Sequence, residues 1–210
     1  MLSIVNYGVG NLSSVQNMAR KACGAARLVT TPEEIRASER LILPGVGHFG
    51  HVVQSFAASG LAEAVTEHAL EKKKPLLGIC VGAQILGTGS EEAPSLAGLG
   101  WLPFACRRFP NTPGLRVPHM SWNTLSAKRP SPLLAELDAE ARFYFVHSYY
   151  MEATDPGIVL AQTEYGIDFA AVVGAGNIFG TQFHPEKSLR FGMALLSGFA
   201  KLPLEHARAA

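Results

Sequence analysis

A short apolar run, Leu76-Leu77, that leads into Gly78-Ile79-Cys80-Val81-Gly82 and straight on into a helical pattern constrains this chain more than any other stretch. It reads as a strand that ends at Cys80 and turns sharply into a helix. A side chain at the tip of such a turn leaves its neighbours no room for Cβ atoms, which is the physical reason for glycine on both flanks. The turn requires a strand and a helix packed at the carboxyl edge of a sheet, and it holds the thiol outward. The start of the helix favours negative charge there, so Cys80 is the candidate nucleophile. The two other cysteines, Cys23 on the apolar face of a helix and Cys106 in a strand-like run, are expected to be small buried hydrophobes.

The rest of the chain agrees with an α/β fold. Leu2 to Val5 reads as a strand, and Val15, Met18, Ala19 and Ala22 share one face of a following helix. Arg27 to Thr30 is a strand, Thr31-Pro32 caps a helix, and Leu41 to Leu43 is a third strand. Phe49 to Lys73 is helical with a break at Ser59-Gly60, and Pro75 to Ile79 is the strand that carries Cys80. Strands separated by helices pair in parallel. The segment from Pro94 to Pro132 is proline-rich, with strand-like runs at Trp101 to Phe104 and Val117 to Trp122, which points to hairpins or an edge excursion. Phe143 to His147, Ile158 to Gln162, Phe169 to Val173 and Ile178 to Phe183 are further strands, with a turn at Gly174-Ala175-Gly176-Asn177, and a helix closes the chain from Leu189 to Ala200. The expectation is a mostly parallel central sheet flanked by helices, with a smaller antiparallel strand excursion in the middle and C-terminal half. A length of 210 residues without repeat or linker suits one domain over 1–210.

A net charge of +1 with charges scattered along the chain argues against nucleic-acid and membrane partners. No stretch reaches the ~20 apolar residues of a membrane span, and the first residues lack the pattern of a signal peptide, so a cytoplasmic location is expected. Three cysteines without CxxC or Cys/His spacing predict neither a disulfide framework nor a metal site.

A thiolate that attacks an amide needs a proton donor for the leaving group, and a histidine held by a carboxylate supplies one. Gln182-Phe183-His184-Pro185-Glu186-Lys187-Ser188 leaves a strand with His184 and Glu186 two residues apart, on one face of extended backbone. His48, His51, His68 and His206 lie in helical or polar stretches and are expected at the surface. The oxyanion formed by attack needs fixed donors, for which the backbone N–H of Val81 and those of Val46 and Gly47, in Pro44-Gly45-Val46-Gly47, are candidates. That loop is also a formal G-x-G-x-x-G match through Gly50, but it follows the third strand rather than the first and lacks the ribose-binding acid. Gly8-Val9-Gly10-Asn11 after the first strand is more simply a tight turn.

With these residues in place, the chain resembles the class I (triad) glutamine amidotransferases, and among them the glutaminase subunits of imidazole glycerol phosphate synthase. The resemblance runs through Ile4 to Asn11, Leu43 to Phe49, Gly78 to Gln84, Ser90-Glu91-Glu92, Val117 to Asn123, Phe143 to Tyr149 and Gln182 to Ser188. It implies a Cys80-His184-Glu186 triad and a glutamine pocket made by Gly47, Gln84, Glu92, Ser148 and Tyr149. Gln84 and Glu92 suit the substrate ammonium. It further implies a heterodimer with a (β/α)8 barrel cyclase that receives ammonia, contacted by Asn11, Met120, Trp122, Asn123, Tyr144 and Lys187. Such chemistry needs neither metal nor organic cofactor. The sequence departs from the family at Ser121, where glycine is common, and at Asn6, where aspartate is common. The alternatives are a glutaminase serving pyridoxal phosphate or anthranilate synthesis, a non-catalytic α/β scaffold, or a nucleotide-binding oxidoreductase.

Overall fold

Apolar strands alternating with amphipathic helices wind the N-terminal half of the chain into a parallel sheet. In the computed structural model, which describes residues 1–204, β1 (Leu2–Val5) leads into α1 (Leu12–Cys23), whose Val15 and Ala19 are buried. α1 stops at Gly24, where φ is 78° and the backbone N–H donates to Arg20 O at 2.8 Å. β2 (Ala26–Val29) follows, then α2 (Pro32–Arg36). The start of α2 is set by a reciprocal cap, in which Thr31 Oγ accepts from the Glu34 N–H and the Glu34 carboxylate accepts from the Thr31 N–H. β3 (Arg40–Gly45), α3 (Phe49–Ala58), α4 (Ala62–Thr66), β4 (Leu76–Cys80) and the four-residue α5 (Val81–Gln84) complete this half. Gly60, with φ at 73°, separates α3 from α4 as expected, and α4 continues into a π-helical turn over Glu67–Glu71.

The second half is antiparallel. It contributes β5 (Phe104–Arg108), β6 (His119–Thr124), β7 (Ser126–Ala127), β8 (Arg142–His147), β9 (Tyr149–Ala153), β10 (Val159–Glu164), β11 (Asp168–Ala175) and β12 (Ile178–Thr181), closed by α6 (Leu189–Lys201). The large sheet has the order β2-β1-β3-β4-β12-β11-β10-β7, with β9 joined to β11 and β5 to β9. β2, β1, β3, β4 and β12 run parallel, and their neighbours beyond β12 run antiparallel. β6 and β8 form a separate ribbon. β12 belongs to the C-terminal hairpin yet inserts beside β4, with Thr181 opposite Ile79, while β3 flanks the other side with Gly45 opposite Cys80. Strands β3, β4 and β12 are buried on both faces apart from Arg40, which explains their unbroken apolar runs.

Several expectations need correction. The strand placed at Trp101 to Phe104 begins at Phe104 instead, because Leu102 and Pro103 are used in a turn whose carbonyls bond Phe104 and Thr154. β9 was not foreseen: Tyr149-Tyr150-Met151-Glu152 lacks clear alternation, and the strand is held by its partner β5. His68 is not a surface residue; it is buried in the π-helical turn, with Nε2 bonded to Pro75 O at 3.2 Å, and burial pushes its pKa down to about 4. His48 and His51 are exposed, and His206 lies outside the described residues.

The turn from β4 to α5 depends on main chain touching main chain. A Cβ on Gly82 would lie 2.1 Å from Leu43 O, and one on Gly45 would lie 2.1 Å from Gly82 N. Gly82→Ala is therefore expected to lower the unfolding free energy by about 3 kcal/mol, read from denaturant midpoints. Gly89→Ala, whose Cβ would meet only Leu96 O at 3.7 Å, is the control and should move stability by less than about 0.5 kcal/mol. Equal shifts in the two variants would refute the packing account.

Candidate active site

Cys80 sits at the C-terminal end of β4 with φ 53° and ψ −114°, a conformation that an L-residue adopts at a cost of about 1–3 kcal/mol. Glycine on each side makes this possible, since a Cβ on Gly78 would lie 2.6 Å from Ala83 Cα. The residue is 3 % exposed and opens onto a cavity of about 320 Å3. That cavity is also lined by Val46, Gly47 and Val81, by Gln84 and Glu92, and by His147, Ser148 and Tyr149. His184 and Lys187 complete the wall nearest β12.

His184 arrives because β12 lies beside β4 and the chain continues past its end. Its backbone N–H donates to Tyr144 O at 3.0 Å, and Ser188 Oγ donates to its carbonyl at 2.6 Å while accepting from the Tyr144 N–H at 3.0 Å. The imidazole Nδ1 bonds Glu186 Oε1 at 2.8 Å, and both side chains are buried. Glu186 Oε2 has no hydrogen-bond partner among the described residues, so this carboxylate is committed to the ring. Burial alone would disfavour a charged imidazole. The Cys80 sulfur, as charge and as hydrogen-bond partner, together with Glu186, outweighs it and pushes His184 up to about 10. With Nδ1 engaged by Glu186, Nε2 is the nitrogen left for the sulfur and the substrate.

The loop after β3 carries the other expected donors. Among the described residues the N–H groups of Val46 and Gly47 make no main-chain hydrogen bond, and Gly47 has φ 90°. Val81 supplies the N–H next to the nucleophile. Tyr7, buried against Phe56, donates its hydroxyl hydrogen bond to Pro44 O and so anchors the start of this loop. Burial raises the phenol pKa, which keeps it a donor. The G-x-G-x-x-G segment is thus occupied structurally: Gly45 is pressed on Gly82, and Phe49 N–H donates to Glu92 Oε2 at 2.7 Å.

The pocket residues differ in how they are held. Glu92 is half-buried and oriented by that Phe49 N–H. Gln84 is buried, and its amide nitrogen donates to Tyr149 O at 2.9 Å and to Gln182 Oε1 at 3.1 Å. Both donors are used, so the group it can offer a ligand is the acceptor oxygen. Ser148 and Tyr149 are half-buried where β8 passes into β9. His147, Gln182, Ser188 and Tyr7 were not singled out from sequence. His147 alone left a signal, an inward position on the β8 alternation beside Ser148.

Of the residues expected to meet a partner, Met120 and Trp122 are 59 % and 43 % exposed on one face of β6, and Asn11 and Lys187 are exposed. Tyr144 is half-buried, with Trp122 against its edge at 6.0 Å and Lys187 Nζ over its ring at 5.7 Å. Asn123 alternates to the other face of β6 and donates to Glu164 O at 2.7 Å. Cys106 is buried, as expected, and burial raises its thiol pKa; Cys23 is only partly buried at the end of α1. Among the described residues no helix is long and apolar enough to cross a membrane. Nor do these residues contain a His/Cys/Asp/Glu group that could hold a metal ion.

The raised His184 pKa makes a direct prediction. The ring should hold its proton through neutral pH and release it near pH 10, as followed by histidine NMR. Cys80→Ala and Glu186→Gln should each move that midpoint down, the first by more. An unchanged midpoint in Cys80→Ala would mean that sulfur and ring do not interact.

The sequence profile of the family described as Glutamine amidotransferase class-I matches residues 5–201. Imidazole glycerol phosphate synthase subunit HisH 2 of Pseudomonas aeruginosa is 44% identical over 202 residues, covering 96% of this chain and 100% of the relative. The HisH subunit of Moorella thermoacetica is 43% identical over 201 residues, covering 96% and 94%. Among solved structures, a glutamine amidotransferase superposes with TM-score 0.73 at 22% identity, covering 94% of this chain and 96% of its own. PurLQS from Thermotoga maritima gives 0.69 at 19%, covering 95% and 96%. These two likenesses speak for the fold. Taken with the thiol and imidazole that line one cavity and the carboxylate bonded to that imidazole, the sequence matches establish that the chain belongs to the class-I glutamine amidotransferases, within the HisH subunits of imidazole glycerol phosphate synthase.

Proposed function

We propose that the cavity binds L-glutamine and that Cys80, His184 and Glu186 hydrolyse it to glutamate and ammonia. The ammonia passes to a separate (β/α)8 barrel cyclase subunit, which makes imidazole glycerol phosphate and aminoimidazole carboxamide ribotide in histidine biosynthesis. One observation carries this reading: the strained Cys80 shares its cavity with His184, whose other nitrogen is held by Glu186 at 2.8 Å. HisH relatives named as subunits of the synthase support the partner and the pathway. The continuous core of the described residues, from Leu2 to Leu202, supports the reading of the chain as a single domain. A thiol nucleophile works only while reduced, which supports a cytoplasmic location.

The chemistry follows from the charges. The Cys80 thiolate attacks the carboxamide carbon, a C–S bond forms, and the carbonyl electrons move onto oxygen. The N–H groups of Val81 and of Val46 or Gly47 receive that oxyanion. His184 gives its Nε2 proton to the amide nitrogen, the C–N bond breaks, and ammonia leaves. Acylated sulfur carries no charge, so the ring loses the partner that held its pKa high and can take a proton from water. The resulting hydroxide attacks the thioester, the C–S bond breaks, and glutamate departs as thiolate and imidazolium re-form. Gln84 Oε1 and Glu92 receive the substrate ammonium, and Ser148 and Tyr149 close the pocket. Asn11, Met120, Trp122, Asn123, Tyr144 and Lys187 form or border the face toward the cyclase.

The test is glutamate release from glutamine by the chain mixed with a cyclase subunit and its ribulosyl nucleotide substrate. Cys80→Ala should lose activity by on the order of 10^3-fold or more, and Glu186→Gln should lose less. Failure of the cyclase to stimulate the parent would reassign the chain to another synthase. Trp122→Ala should leave the fold intact and weaken cyclase binding by about tenfold or more.

A further inference from the structure

From His147 in the pocket wall runs a chain of side chains that the reaction itself does not use. His147 Nδ1 bonds Tyr149 O at 2.8 Å, His147 Nε2 faces His119 Nδ1 at 3.2 Å, and His119 Nε2 meets Ser121 Oγ at 3.0 Å. A carbonyl only accepts, so His147 carries its proton on Nδ1 and, when neutral, accepts at Nε2. His119 must then donate from Nδ1 and accept at Nε2, which leaves the Ser121 hydroxyl as the terminal donor. Every member of this chain is satisfied in one proton arrangement only.

The surroundings hold both rings neutral. His119 is stacked between Phe145 and Tyr165 at 4.9 and 3.9 Å, with Phe109 and Phe169 at its edges. Burial pushes its pKa down to about 4. His147 falls to about 3, through burial and the neighbouring His119 and His184, against the pull of the Tyr149 carbonyl. Among the described residues the titratable groups facing the pair are each other, Tyr165 and His184, and no carboxylate there shifts either ring.

The chain ends on a carbonyl that also holds the pocket. Tyr149 O accepts from Gln84 Nε2 as well as from His147, so both its lone pairs are used and the Gln84 amide is turned with its oxygen free. At the other end, His119 and Ser121 alternate along β6 with the exposed Met120 and Trp122. We propose that Ser121, His119 and His147 are positioning residues for glutamine, a proton-ordered tether that ties β6 to the Tyr149 carbonyl and thereby fixes the acceptor offered by Gln84. The kinetic consequence rests on the glutamine reading of the cavity, whereas the proton arrangement does not.

Two measurements test it. Ring-nitrogen NMR of the full chain labelled with 15N-histidine should show His119 and His147 neutral and protonated at Nδ1 down to about pH 5; a proton on Nε2, or titration near 6.5, overturns the tether. With cyclase present, Ser121→Ala should raise KM for glutamine about three- to tenfold with kcat within about twofold, and Ser121→Thr, which keeps the hydroxyl, should match the parent. Equal behaviour of the alanine and threonine variants, or a loss confined to kcat, overturns the positioning role. A parent that makes no glutamate with cyclase refutes the proposed function instead, and the NMR result still decides the tether.

Discussion

Gly82 lying flat against the Leu43 carbonyl is the contact on which the site rests. Because neither Gly45 nor Gly82 carries a Cβ, β3 and the first turn of α5 approach backbone to backbone. At the turn from β4 into α5, Cys80 takes a positive φ at the sheet edge. The same approach brings the loop after β3, with the N–H groups of Val46 and Gly47, alongside the sulfur. The thiol proposed as nucleophile and the N–H groups proposed as oxyanion donors are therefore set by a single packing arrangement.

The imidazole proposed as the base is brought in by a different device. β12 inserts next to β4 in parallel register, and the three residues beyond its end carry the chain from Thr181 to His184. Ser188 then clips His184 and Tyr144 together, so the β6–β8 ribbon and the backbone that carries the His184 imidazole form one hydrogen-bonded unit. Glu186 spends both its burial and its charge on the ring. The site combines strain at the thiol, charge at the imidazole and fixed dipoles in the loop, each provided by a separate segment of chain.

Polar groups behind the pocket are nearly as ordered as those in it. Gln84, Gln182, Tyr149, His147, His119 and Ser121 form a continuous hydrogen-bonded series that leads from the cavity to the strand carrying Met120 and Trp122. Buried networks of this kind restrict side chains to one arrangement, because breaking any link leaves a buried donor or acceptor without a partner. The pocket wall and the exposed strand β6 are thereby joined through β8, whose His147 lines the cavity.

Much of this was legible in the linear chain. The glycines around Cys80, the His-Pro-Glu triplet and the alternating apolar runs of the first half each follow from local rules of sterics and periodicity. β9 was not legible, nor the start of β5, the burial of His68 or the partners of Gln84, because each is stabilised by segments remote in sequence and has little local preference of its own. Residue types and spacing alone determined that a thiol would sit on a sharp strand-to-helix turn and that an imidazole would have a carboxylate beside it. Only the tertiary structure decided that the two would meet, since that depends on a strand from the end of the chain pairing with β4, a choice made by the summed burial of the whole sheet and by no local pattern.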